Sequence, residues 1–555
     1  MRFLHRPVSW PSILLLTILG VAALFRLRGV DFGLPSLHDP DEPLFMLFGY
    51  KLLSEGTLNP GWFGHPGTTT IYTIAVLEAG TFLYGWLAGH YADARAFGEA
   101  IHLDPGVIIL PVRYFMVIGG VLCVYLTHRV AARLFDQRIA LLAAALLAIN
   151  PLHIQYSQIV RTDIHATIFM LLCVLCSLNI YQKGRLKDYL FASAMVGLAV
   201  ASKWPAAVIG ICPLIASLLR SLDHPDSIIR WKKAWVMIAG ASVLSLLIVS
   251  PYLLLDYQTL LTNLRGEARP TNLGGTGTGF AGNLIWYLTR AIPDSVGWAG
   301  LAVMAVGFGV SALKSRIAAG TIGAVTVIML IALSLQSLIW PRWILTILPF
   351  ISIFIAVGIV FVTERLLPPD KAFARKALLG GILAVVAIPM LISVEARAAE
   401  RANDTRARAS HWAWANIPRG STVAVEYVGF DLFGHGWPIY FPVGGSGCVD
   451  AEKILRGDVK YSEADKMRGK SAMVNLGTID PARLDSCRTD YVLLSFYDRY
   501  LDEAAQFPDE LASYAALLKG GTILQTFRPA PGKSGGPVVR VVKLAPKSPA
   551  NSSRP

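Results

Sequence analysis

The chain has 555 residues, 54% of them apolar and only 16% charged, with a formal net charge of +13. So small a charged fraction excludes an ordinary water-soluble globular protein, in which about 25% of residues are charged. The basic excess is scattered over short connections and forms no single run, so it reads as a topology signal and not as a nucleic-acid surface.

Nearly all of the hydrophobicity precedes about Ala396 and comes in runs of roughly 18 to 25 residues, enough at about 1.5 Å per residue to cross a hydrocarbon core of about 30 Å. Arg2, His5 and Arg6 precede an apolar segment with no small-residue cleavage site after it, which predicts a retained first span. Eleven spans are expected, near 11–28, 108–127, 139–157, 164–181, 188–202, 205–219, 234–255, 297–313, 320–339, 343–362 and 377–394. Alternate connections carry the basic residues: Arg129, Arg133 and Arg138; Lys183, Arg185 and Lys187; Arg220, Arg230, Lys232 and Lys233; Lys314 and Arg316; Arg365, Lys371, Arg375 and Lys376.

Because Lys and Arg accumulate on the cytoplasmic side, this alternation puts the N-terminus in the cytoplasm and the C-terminal part outside it. Three stretches then share the outer face, about 29–107, about 256–296 and everything after about 395. Lys203-Trp204-Pro205 is expected to be a tight outer turn between two spans. The apolar stretch from Thr68 to about Ala88 is expected to lie along the interface, because a further span there would reverse the later basic loops.

The predicted organisation is a mostly α, polytopic membrane domain over 1–395 and a soluble α/β or α+β domain over 396–555. Strand-like runs at Ser421–Val425, Tyr491–Ser495 and Val538–Val542 support the second. Of six cysteines, Cys123, Cys173, Cys176 and Cys212 fall in apolar runs and read as small hydrophobes. Cys448 and Cys487 fall in the soluble domain and are a disulfide candidate if it faces an oxidising space.

The densest chemistry is His38-Asp39-Pro40-Asp41-Glu42, directly after the first span, with His65-Pro66 farther along the same loop. Crowded carboxylates tend to raise at least one pKa, which suits a general base or a cation site; a solvated acidic helix cap is the alternative. His38, Asp39 and Asp41 are candidate ligands for a divalent cation, although Asp39-Pro40-Asp41 alone is a short motif. Arg113, Arg161, Asp163, Lys203 and Arg342 are expected on the same face, where cations near membrane depth suit an anionic headgroup; snorkelling anchors are the alternative. Gly274-Gly275-Thr276-Gly277-Thr278-Gly279 lacks the strand and helix of a phosphate loop and is expected to form a flexible flap.

These residues resemble the membrane glycosyltransferases of the GT-C fold, in particular the group of protein O-mannosyltransferases and lipid A aminoarabinose transferases (glycosyltransferase families 39 and 83). The resemblance rests on Asp39-Pro40-Asp41-Glu42, Leu53-Ser54-Glu55-Gly56, Gly64-His65-Pro66, Arg161-Thr162-Asp163, the run from Gly197 to Lys203, and Pro341-Arg342-Trp343. It implies a polyprenyl-phosphate sugar donor, an envelope acceptor (glycolipid, polysaccharide or protein hydroxyl), and direct inverting displacement. It further implies Asp41 as catalytic base with Glu42 beside it, and Lys203, Arg342, Arg161, His65, Arg113 and Asp163 around the donor phosphate. The implied location is a bacterial cytoplasmic (inner) membrane. His65 and Leu44 stand where the aminoarabinose transferases carry Lys and Arg, which speaks against an aminoarabinose donor. The rival reading is a transporter or flippase of lipid-linked or acidic solutes.

Overall fold

The computed structural model describes residues 9–545 except 228, 427–428, 444–446 and 456–473; Arg2, His5 and Arg6 lie outside the described residues. Among these, nine helices are long and apolar enough to cross a membrane: Trp10–Leu27, Gly106–Leu134, Asp163–Lys183, Trp204–Asp223, Trp231–Val249, Phe280–Lys314, Arg316–Ser334, Pro341–Leu366 and Ala372–Asn416. Two shorter helices, Gln137–Ala148 and Leu186–Ser202, fill the remaining places in the expected order. Helix Thr68–Leu87 is not among the nine.

Burial sorts the spans by position. The apolar window of Pro341–Leu366 is 94% buried, whereas that of Trp10–Leu27 is 11% buried. A helix that is apolar all round belongs at the centre of a bundle, and this one packs on Ile292–Lys314, Gln137–Ala148 and neighbouring helices. Its closest approach uses paired glycines. A Cβ on Gly307 would stand 1.8 Å from the Phe354 carbonyl oxygen, and one on Gly358 would stand 2.2 Å from that of Val303. Small residues let membrane helices meet backbone to backbone, where dispersion and weak polar contacts replace the hydrophobic drive that lipid removes.

The change from apolar to basic composition near residue 395 falls inside a helix, because Ala372–Ala402 continues unbroken before a second helix, Thr405–Asn416. The soluble domain then builds a six-stranded mixed sheet in the order β3 (Cys448–Asp450), β2 (Ile439–Pro442), β1 (Val423–Val425), β4 (Tyr491–Leu494), β6 (Val539–Lys543), β5 (Thr522–Phe527). β1 pairs in parallel with β2 and β4, and the outer pairings are antiparallel. Central β1 and β4 are buried throughout, which explains their unbroken apolar runs. Cys448 and Cys487 are joined by a disulfide that ties β3 to the segment before β4.

Candidate functional site

The loop after the first span is fixed at its acidic end by local geometry. Asp41 precedes helix Glu42–Ser54, whose second residue is Pro43, and its side chain makes no capping bond. Instead the Asp41 backbone N–H donates to Asp39 Oδ1 at 3.0 Å, an Asx-type turn that leaves the Asp41 carboxylate for other partners.

Those partners are cations from remote parts of the chain. Arg161 places Nη2 on both oxygens of Asp39, at 3.0 and 3.2 Å, and pairs Nη1 with Asp41 Oδ2. Arg342 Nη2 stands 3.7 Å from the same Asp41 oxygen. Asp41 keeps 31% side-chain exposure, against 12% for Asp39, 4% for Asp163 and none for Glu42, so among these carboxylates it is the one an incoming group can reach. Burial alone would raise the Asp41 carboxyl, but the Arg161 and Arg342 guanidinium groups outweigh it and hold the group below the usual carboxylate range. Within the cluster it is therefore Glu42 that is raised, by burial first and by the Asp39 charge as well, and not Asp41, because the sequence shows the neighbouring acids but not the converging guanidinium groups.

Glu42 is fully buried and sits in a two-pronged ion pair with Arg113, at 2.9 and 2.6 Å, while also accepting from the Val160 backbone N–H at 3.0 Å. Arg113 spends its remaining donors on the Val30 and Phe32 carbonyls, at 2.7 and 2.8 Å. Neither side chain has any exposed surface. In this structure Arg113 is thus paired with Glu42, and Glu42 also holds the start of its helix against residue 160, next to Arg161.

Lys203 follows helix Leu186–Ser202 in extended backbone and pairs with buried Asp163. The turn is fastened to the loop after the first span: Gly67 N–H donates to the Ser202 carbonyl at 3.3 Å, Thr69 and Ser202 share a hydroxyl bond at 2.7 Å, and Trp204 donates to the Phe63 carbonyl at 3.1 Å. His65 lies between these segments, packed on Trp62 and Phe45. Burial, then the charges of Lys203 and Arg342, push its imidazole down to about 3, so it is neutral at working pH. Arg342 stacks over the Trp340 ring at 5.0 Å.

The glycine run meets this cation from behind. Gly275 and Gly277 exchange backbone bonds with Ile339 and Ser337, each 2.8 Å, and a Cβ on Gly275 would come within 2.5 Å of Trp340. Gly274 N–H donates to Glu503 of the soluble domain at 2.8 Å. The run is thus bound in place against the segment that carries Arg342.

The candidate metal set is not assembled. The Arg161 guanidinium joins Asp39 to Asp41, and His38 turns toward Asp404, its Nδ1 3.7 Å from that carboxylate. Among the described residues no three His, Cys, Asp or Glu side chains converge as a metal cluster. The donors present do not fit a resident cation at His38, Asp39 and Asp41.

Sequence reasoning missed three features. Glu267, at the end of helix Tyr257–Glu267, approaches the loop so closely that a Cβ on Gly64 would stand 2.9 Å from its Oε1. Burial raises the Glu267 carboxyl against the pull of Arg269, and the Asp41 charge raises it further. Arg406 donates to the His38 carbonyl at 2.7 Å, so the soluble domain grips the acidic loop. Arg26, inside the first span, is fully buried and donates to the Leu147 and Ala148 carbonyls and His153, drawing His153 away from the site. An arginine within an apolar run was the available signal for that knot.

Residues 101–255 match the family described as dolichyl-phosphate-mannose-protein mannosyltransferase. No curated protein matches the chain in sequence. Two solved structures of ArnT from Cupriavidus metallidurans are similar to it. The apo state has a TM-score of 0.52 at 13% identity, covering 96% of this chain and 97% of that one. The state bound to undecaprenyl phosphate has a TM-score of 0.50 at 12% identity, covering 98% and 99%. The oligosaccharyltransferase AglB of Archaeoglobus fulgidus, in complex with an inhibitory peptide and a dolichol-phosphate, has a TM-score of 0.50 at 14% identity, covering 91% and 72%. The membrane bundle, its acidic first loop and the appended sheet domain together give this chain the GT-C fold.

Proposed function

We propose that the protein is a glycosyltransferase that moves a sugar from a polyprenyl-phosphate donor to an acceptor hydroxyl at the extracytoplasmic face of a cytoplasmic membrane, with inversion. The observation that carries this reading is the Asp41 carboxylate, partly exposed and within 3.7 Å of the Arg342 guanidinium. A base and a phosphate-binding cation side by side are what direct displacement needs. The acceptor oxygen forms its bond to the anomeric carbon as its proton passes to Asp41, and the bond to the phosphate oxygen breaks with its electron pair leaving on the phosphate. Arg342, with Lys203 behind it, offsets that new charge. The similar structures support the donor class, since one holds undecaprenyl phosphate and another a dolichol-phosphate.

Two observations support the face. Asp41, Arg161, Lys203 and Arg342 share one end of the bundle with the soluble domain. That domain carries the Cys448–Cys487 disulfide, which persists in an oxidising space.

The test uses the purified full chain, a radiolabelled polyprenyl-phosphate sugar and an envelope extract as acceptor, comparing wild type with Asp41→Asn. Loss of transfer with retained donor binding is expected, and equal transfer by both proteins overturns the assignment.

A further inference from the structure

A cavity of about 500 Å³ opens on the other side of the His38-Asp39 backbone, between the end of the first span, the Pro151–Tyr156 turn and helices Ala372–Ala402 and Thr405–Asn416. A smaller crevice of about 290 Å³ lies between the Ile292–Lys314 and Ala372–Ala402 helices, bordered by Gly297, Pro389 and Ser393. Arg397 lines both spaces and so stands between the gap in the membrane helices and the larger chamber.

The polar groups of that chamber are unequally matched. Arg28 pairs with Glu395. Arg397 and Arg401, one helical turn apart, donate only to neutral oxygens: Arg397 to the Gln155 side chain, Arg401 to the Gln158 side chain and the Gln155 carbonyl. Among the described residues neither forms an ion pair, although Asp31 and Asp431 also border the chamber. Arg401 stacks over the Phe32 ring at 4.1 Å, which fixes its plane. His38, 8% exposed, borders the same chamber with its Nε2 buried and without a partner among the described residues. Two like charges at adjacent turns repel each other, and a shared anion relieves both.

We propose that Arg397 and Arg401, with His38, form a second site for a phosphate-bearing lipid headgroup, separate from the Asp41–Arg342 site and entered between helices Ile292–Lys314 and Ala372–Ala402. Guanidinium forks suit phosphate oxygens, the His38 Nε2 is left to accept from a headgroup hydroxyl because Nδ1 faces Asp404, and the crevice, bordered by Pro293, Pro389 and Met390 together with Asp294, Ser295 and Ser393, reaches Arg397 from between the two helices. The site stands independently of the transfer reaction, and its test reads binding alone.

The experiment uses the full chain in detergent and two probes, undecaprenyl phosphate and phosphatidylglycerol, with inorganic phosphate as the soluble control. Lipid bound per chain is counted by native mass spectrometry for wild type, Arg397→Gln/Arg401→Gln and Arg342→Gln. The expected result is one lipid fewer in the double variant, and additional loss of undecaprenyl phosphate when Arg342→Gln is combined with it. The probe that is lost identifies the source of the phosphate, and displacement by inorganic phosphate alone overturns the lipid assignment. Unchanged occupancy in a folded double variant overturns the site. Photo-crosslinking of wild type with a head-proximal diazirine lipid needs no variant: label in 389–401 supports the site, and label confined to the segments around 203 and 342 refutes it.

Discussion

Arg161 holds Asp41 through one terminal nitrogen and Asp39 through the other, so a residue from the third connection sets the position of a carboxylate in the first. The planar fork makes both contacts in one fixed geometry, which the compact ammonium of lysine on its flexible stem does not reproduce. Arg161→Lys is therefore expected to lower kcat by about 10- to 100-fold with donor KM little changed, since misplacement of a reacting group by about 1 Å can cost about 100-fold. Steady-state kinetics with varied lipid-linked donor check it; an unchanged kcat removes Arg161 from the positioning of Asp41.

Arg342 is less committed, being 3.7 Å from Asp41 and 17% exposed over Trp340. Arg342→Ala is expected to weaken donor binding and to slow transfer by about 100- to 1000-fold, the range for losing one preorganised stabiliser of developing charge. Because Trp340 also touches the glycine run, Gly275→Val is expected to show a weaker version of the same defect. Donor binding and single-turnover rates of the two variants, measured side by side, check the pair.

Glu42 and Arg113 form a sealed ion pair, each with no exposed side-chain surface. Removing one partner of such a pair costs about 3–5 kcal/mol, because the other charge stays buried. Glu42→Gln is expected to lower thermal stability in detergent strongly and activity with it. A variant of wild-type stability that has lost transfer would instead place Glu42 in the chemistry.

pH acts on the two acidic sites in opposite directions. Asp41, held low by Arg161 and Arg342 against burial, is already ionised at neutral pH. Transfer is expected to show no acid limb at pH 5–6, and the ion-pair stabilisation is lost only as pH falls through its depressed pKa. Glu426 in the soluble domain is buried beneath the sheet and accepts from Tyr514, Ser495 and Phe496. Burial pushes it up to about 7 in spite of those bonds. Its unfolded state releases the proton near the ordinary value while the folded state keeps it. Stability is therefore full below that ordinary value and declines as pH rises toward 7. Melting curves of the full chain from pH 5 to 8, with Glu426→Gln flattening the slope, check the sign.

Much of the architecture was legible in the chain. Long apolar runs must bury their backbone polar groups as helices in lipid, so the order of spans follows from composition, and the switch near residue 395 marks where soluble character begins. The reactive loop was legible as well, because Asp39, Asp41 and Glu42 are local in sequence.

What each carboxylate does was decided only by the tertiary structure. Residues 113, 161 and 342 are separated from that loop by whole spans, and no local pattern states that Arg113 is consumed by Glu42 whereas Arg342 stays half free beside Asp41. The sequence determined that acids and cations share one end of a membrane bundle. Packing determined which acid is sealed, which is exposed, and which way its pKa moves, because long-range charge and burial depend on where helices end in space.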